Sequence, residues 1–172
     1  GDIRLSRSGV TSGEGFKKAE KELRALGMEH LILDLTDNGG GILQVANEIA
    51  DEFLEEGKLI VYTEGKNQPR FTMNATGGDE LSGGKLVILV NGVSASASEI
   101  LAGAVQDWDR GVVVGRRTFG KGLVQRQLPL PDGTMIRLTV ARYYTPTGRS
   151  IQKAYEEGNL YAYNQDFMNR YQ

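Results

Sequence analysis

A serine, a lysine and a glutamine in the second half of the chain have the types and spacing that hydrolytic chemistry needs. The run Ser94-Ala-Ser96-Ala-Ser98-Glu99 follows the apolar stretch from Leu86 to Val90 and opens a helical pattern. A serine at such a strand-to-helix turn presents its hydroxyl above the sheet edge. The next amide, at the helix N-terminus, then points toward a developing oxyanion. Ser96-x-x-Glu99 is equally a capping box, which needs no catalysis, and this segment alone leaves both readings open.

A serine nucleophile needs a neighbour that takes its proton. The chain has no cysteine and a single histidine, His30, so disulfides, thiolate metal sites and a cysteine nucleophile are excluded. His30 opens an apolar strand and reads as structural, because a lone histidine has no metal partner. Lysine can serve as the base instead, as in Ser-Lys variants of the triad. Lys121 would have to be neutral near pH 7, about 3 units below its free value of about 10.4, a shift worth about 4 kcal/mol. Burial among Phe119, Leu123 and Val124 could produce it; the alternative is a solvated surface lysine. Gln125 lies four residues on, and in a strand i and i+4 share a face, so its amide could hold Lys121. The run Asn38-Gly39-Gly40-Gly41 could bring an exposed amide to a substrate carbonyl, or could be a plain tight loop.

Gly115-Arg-Arg-Thr-Phe-Gly120-Lys121-Gly122 nearly matches a phosphate-binding loop. Gly122 replaces the hydroxyl that would hold magnesium, and the following residues read as strand rather than helix. A nucleotide-binding protein is therefore the weakest of the readings.

These residues need a scaffold. The 172 residues, 40% hydrophobic and 24% charged, are enough for one domain with a buried core. Twenty Lys plus Arg against twenty-two Asp plus Glu give a net charge of −2, which supplies no basic field for nucleic acid or an anionic membrane. The longest apolar run is too short to span a bilayer. Gly1 is not a natural start, so the chain is expected to be a piece of a longer protein, and the missing secretion signal says little about location.

The periodicity predicts strands at 2–7, 30–35, 58–64, 70–74, 85–90 and 112–114, and helices at about 13–26, 43–55 and 96–107. A hairpin spans 123–130 and 134–144 around Pro131-Asp132-Gly133, and 77–84 reads as a loop. Strands alternating with helices imply an α/β core with parallel pairing, to which the late hairpin adds antiparallel strands. The core is expected over 1–153, and the tail 154–172, rich in Tyr and Asn, to be only partly ordered.

Four segments occur in one order: Asp34-Leu-Thr-Asp-Asn-Gly-Gly-Gly41, Val90-Asn-Gly-Val-Ser-Ala-Ser-Ala-Ser-Glu99, Thr118-Phe-Gly-Lys-Gly-Leu-Val-Gln125 and Tyr144-Thr-Pro-Thr-Gly-Arg-Ser-Ile151. Together they resemble the carboxy-terminal processing peptidases, or tail-specific proteases, over residues 1–153. The resemblance implies a crotonase-like or Clp-protease-like α/β core of mixed β-sheet and helices. It places the nucleophile at Ser96, the base at Lys121, 25 residues on, and the orienting amide at Gln125. It puts the oxyanion hole on the Ala97 and Gly40 amides, and Glu99 and Asp107 in support of the active-site helix. The implied reaction is hydrolysis of peptide bonds through an acyl-enzyme, without metal or cofactor, in unfolded or C-terminal polypeptide segments.

The implied compartment is extracytoplasmic, periplasmic or membrane-associated in the parent protein. The parent is expected to carry a PDZ domain before this core, and its oligomeric state is left open. Thr36 stands where the family commonly has Arg, and Ser8-Gly9 replaces an aromatic-containing stretch. The main rival is a catalytically inactive peptide-binding module on the same fold, which would bind peptides by strand addition.

Overall fold

The apolar runs along the chain form the strands that carry the site. The computed structural model describes residues 1–77, 81, 83–155 and 159–169. In chain order the elements are β1 (Asp2–Arg4), α1 (Ser12–Ala25), β2 (Leu31–Asp34), α2 (Leu43–Asp51), β3 (Leu59–Gly65), β4 (Gln68–Asn74), β5 (Leu86–Val90), α3 (Ala97–Asp107), β6 (Val112–Gly115), β7 (Leu123–Pro129), β8 (Met135–Tyr144) and α4 (Leu160–Asn169).

β1, β2, β5 and β6 form one sheet in the order β1-β2-β5-β6, parallel throughout. Its central strands are almost wholly aliphatic, and they alternate: Leu31, Leu33, Leu86, Ile88 and Val90 face the helices, while Ile32 and, on β6, Val112 and Val114 stay exposed on the other face. Leu33 and Ile88 pair across β2 and β5 and are fully buried. Phe16 of α1, Ile49 of α2 and Leu101 of α3 join them in one core. α2 ends at Asp51, short of the expected 55, yet Phe53 and Leu54 are buried in the turn beyond it. Their apolar spacing reports burial, which continues after the helix stops.

The antiparallel strands form a second sheet in the order β4-β3-β8-β7. The expected hairpin is present, its turn closed by the Leu130 amide on the Thr134 carbonyl at 2.8 Å. β3 serves both layers: Ile60 and Val61 are buried in the core, while Tyr62, Thr63 and Glu64 pair with β8. The expected 77–84 loop lies partly outside the described residues, as does part of the tail. Where the tail is described it forms α4, which weak periodicity had not indicated. α4 reaches the core through Asp166, 2.7 Å from Lys153 Nζ. No described helix is long and apolar enough to cross a membrane.

At the C-terminal end of α3, the Asp107 side chain is 4% exposed. It accepts the Thr147 amide at 2.9 Å, the Thr147 hydroxyl at 2.7 Å and Arg149 Nε at 3.0 Å. These bonds fasten the helix to the turn after β8. Burial pushes the carboxyl up, but the neighbouring Thr145 hydroxyl and the bonds from Thr147 and Arg149 together outweigh it and hold it below its ordinary value. A depressed carboxyl stabilises the fold above its unfolded-state pKa, and this contribution is lost as pH falls through the folded value. Asp107→Asn is therefore expected to cost about 2 kcal/mol at pH 7, with the gap from the parent chain shrinking below about pH 4. Urea unfolding of both at pH 7 and pH 3 checks this.

Candidate active site

The serine turn is set by hydrogen bonds local to the end of β5. Asn91 Oδ1 accepts the amides of Val93 and Ser94 at 3.0 and 3.2 Å, and Ser94 Oγ accepts the Asn91 amide at 2.9 Å. The fully buried Ser94 hydroxyl donates in turn to the Leu35 carbonyl at 2.7 Å. The chain reverses tightly and leaves Ser96 half-buried as the N-cap of α3, with φ 56° and ψ −112°. A serine held at positive φ costs on the order of 1–3 kcal/mol and persists only where its surroundings enforce it.

Glu99 supplies much of that enforcement. The capping box is formed: Glu99 Oε2 accepts the Ser96 amide at 2.8 Å. The same carboxylate accepts the Lys121 amide on Oε2 at 2.9 Å and the Gly120 amide on Oε1 at 2.7 Å. The box therefore caps the helix and also joins the serine turn to the loop between β6 and β7. That loop leads into β7, a strand, so no helix N-terminus follows Gly122 to cradle a phosphate.

Ser96 and Lys121 line one cleft of about 360 Å³ together with Ser6, Arg7 and the three glycines 39–41. Lys121 is exposed, so the burial expected around it is not met in this core. Gln125 is not among the cleft's residues. The i, i+4 argument presumed an unbroken strand, but β7 begins at Leu123 and its pairing shifts register between Val124 and Gln125. The Gln125 amide instead donates to Thr139 Oγ1 at 3.4 Å.

The glycine run is built around Asn38, which is fully buried. Its Nδ2 donates to the Leu5 carbonyl at 2.7 Å, and its own carbonyl accepts the Ala95 amide at 3.0 Å and Ser98 Oγ at 3.0 Å. The chain then turns at Gly40, φ 90°, and packs directly on the serine turn. A Cβ at Gly40 would meet the Ala95 carbonyl oxygen at 2.5 Å, Ser96 Cβ at 2.8 Å and the Ala97 nitrogen at 2.9 Å. Among the described residues the Ala97 amide has no acceptor. The Gly40 amide, the other expected oxyanion donor, is given to Asn38 Oδ1 at 2.9 Å. Asn38 and Ser94 stood within the sequence motifs, but their positioning roles were missed: nothing in spacing shows which backbone group a buried amide or hydroxyl will find.

Two other expectations resolve here. At the strand before the glycines, Thr36 donates its amide and hydroxyl to Asp34 Oδ1 at 2.8 and 2.6 Å, and Arg4 of β1 lies 3.6 Å from Asp34 Oδ2. Burial pushes the Asp34 carboxyl up, but the Thr36 bonds and Arg4 hold it below its ordinary value. His30 is not among the cleft's residues, and its Nδ1 accepts the Lys85 amide at 3.2 Å.

The chain matches peptidase family S41 over residues 1–158. It is 43% identical over 153 residues to a carboxyl-terminal-processing protease of Picosynechococcus sp., covering 89% of this chain and 36% of that protein. It is 39% identical over 153 residues to the chloroplastic C-terminal processing peptidase of Tetradesmus obliquus, covering 89% and 33%. Among solved structures, a photosystem II D1 C-terminal processing protease superposes with a TM-score of 0.83 at 38% identity, over 88% of this chain and 39% of that one. Mature CPAF, at 16% identity and a TM-score of 0.69 over 88% of this chain and 44% of its own, shares the fold. The chain thus spans about a third of the length of the curated relatives it matches. With an α/β scaffold common to these proteases, the chain belongs to peptidase family S41.

Proposed function

We propose that this core is the catalytic unit of a serine endopeptidase that hydrolyses peptide bonds in unfolded or C-terminal polypeptide segments. The observation that carries the reading is the shared carboxylate oxygen: Glu99 Oε2 accepts the amides of both Ser96 and Lys121. The two side chains thereby face one cleft beside Gly40.

In this reading Ser96 Oγ attacks the scissile carbonyl and its proton passes to Lys121 Nζ. Lys121 returns the proton to the leaving amine, and water then hydrolyses the acyl-enzyme by the same route. The Ala97 amide is open to the oxyanion, and the Gly40 amide joins it by releasing Asn38 Oδ1. Gln125 is assigned the orientation of Lys121, for which its amide must leave Thr139. Relatives named as C-terminal processing proteases, bacterial and chloroplastic, support the substrate class and an extracytoplasmic setting. A parent chain with a PDZ domain that presents substrate tails completes the proposal. The peptide-binding alternative draws on the Gly40 amide, which is already occupied.

Mass spectrometry of casein incubated with the chain tests the reading. The parent sequence is expected to cut, and Ser96→Ala and Lys121→Ala to lose activity by about a thousandfold or more. A Lys121→Ala variant as active as the parent sinks the lysine base, and uncut casein with peptide still bound favours the binding module. Gly40→Ala is expected to cut at least about tenfold more slowly while remaining folded by circular dichroism, because its methyl group would enter the serine turn. In Glu99→Gln an amide group faces N–H donors in place of one oxygen. Its kcat is expected to fall about tenfold or more with KM little changed, the pattern of a group that positions the reacting atoms.

A further inference from the structure

Arg7 lines the cleft that holds Ser96 and Lys121. Its backbone is fixed on both sides. The Arg7 carbonyl accepts Ser12 Oγ at 2.8 Å, and the next residue is strapped to the glycine run by the Ser8 amide on the Gly40 carbonyl at 3.2 Å and the Ile42 amide on the Ser8 carbonyl at 2.8 Å. The side chain is exposed to the cleft, and among the described residues its guanidinium has no hydrogen-bonding or ionic partner. Several arginines elsewhere are matched, Arg4 by Asp34 and Asp37, Arg70 by Glu64 and Arg149 by Asp107, but none of these lines the cleft. Among the described residues no carboxylate lines the cleft. The nearby Glu99 oxygens are occupied by three amides.

A guanidinium offers a planar fork of donors that fits a carboxylate with two parallel hydrogen bonds. Ser8 and Gly40 are hydrogen-bonded neighbours, so a peptide whose carbonyl approaches the Ala97 and Gly40 amides passes along the wall that carries Arg7. We propose that Arg7 is a specificity-determining residue that binds a substrate carboxylate close to the scissile bond, from an Asp or Glu side chain or from the chain's own terminus. The proposal rests on the peptidase reading for its substrate class, but its own evidence is the unpartnered guanidinium on the cleft wall.

The test is fluorescence anisotropy of Ser96→Ala with fluorescein-labelled octapeptides. Glu or Gln occupies each position in turn, and each peptide is made with a free or an amidated C-terminus. At least one acidic peptide is expected to bind about tenfold more tightly than its neutral counterpart, the size of one charge-assisted pair. The ratio should fall to about one in Ser96→Ala/Arg7→Gln and return in part with Arg7→Lys. A Glu-over-Gln preference assigns a side chain, and a free-over-amidated preference assigns the terminus. A ratio near one in Ser96→Ala, the same ratio in both variants, or no measurable binding overturns the proposal. Casein left uncut by the parent chain while the charge preference stands overturns hydrolysis alone, and cleavage without that preference overturns Arg7 alone.

Discussion

One buried carboxylate holds the site in register. Among the described residues Glu99 has no ion-pair partner; its carboxylate is met by the amides of Ser96, Gly120 and Lys121 and by its place in the first turn of α3, where the helix dipole favours an anion. Hydrogen bonds to a charged group are each worth about 1.5–3 kcal/mol. Three of them offset the strain of holding Ser96 at positive φ, on the order of 1–3 kcal/mol. The same bonds set the distance between two segments that belong to different parts of the fold. Ser96 follows β5 of the parallel sheet, and Lys121 precedes β7 of the antiparallel one. A change in how the sheets sit would move the lysine relative to the serine, and Glu99, together with the Phe119 amide on the Ser94 carbonyl at 3.0 Å, resists it.

Asn38 does the corresponding work on the opposite wall. It ties the end of β1 to the glycine run and to the serine turn through Leu5, Ala95 and Ser98. Its side-chain oxygen also takes up the Gly40 amide. The residue that builds the wall thus occupies one of the two proposed oxyanion donors. Glycine at position 40 keeps the backbone at φ 90° without a Cβ penalty, so the amide can be redirected without strain on a side chain.

Much of this was legible in the sequence, because the signals were short and local. The aliphatic runs of β2 and β5, the capping box and the Pro-Asp-Gly turn each depend on neighbours within a few residues. What failed to show was the effect of distant partners and of irregular strands. Gln125 was placed beside Lys121 by strict alternation, and the late start of β7 with its register shift removes the basis for that count. The expected burial of Lys121 was inferred from apolar neighbours in sequence, yet Leu123 is itself exposed and cannot shield it. α4 was missed because its apolar residues form no clean stripe; Leu160, Tyr161 and Met168 are exposed.

The Thr36 position shows why a motif departure need not open a gap in the fold. An arginine at 36 would supply charge two residues from Asp34. Here the cation comes from Arg4 on the neighbouring strand, where β1 and β2 pair Arg4 with Asp34 in register. Arg4 reaches Asp37 as well, 3.4 Å away. Asp37 in turn accepts Asn91 Nδ2 at 2.8 Å, and its amide donates to Asn91 Oδ1 at 3.1 Å. The threonine hydroxyl adds a short bond to Asp34, beside the one from its backbone amide. A chain of polar contacts therefore runs from β1 through the entrance of the glycine run to the serine turn. Parallel register thus brings a cation beside Asp34 without one at position 36.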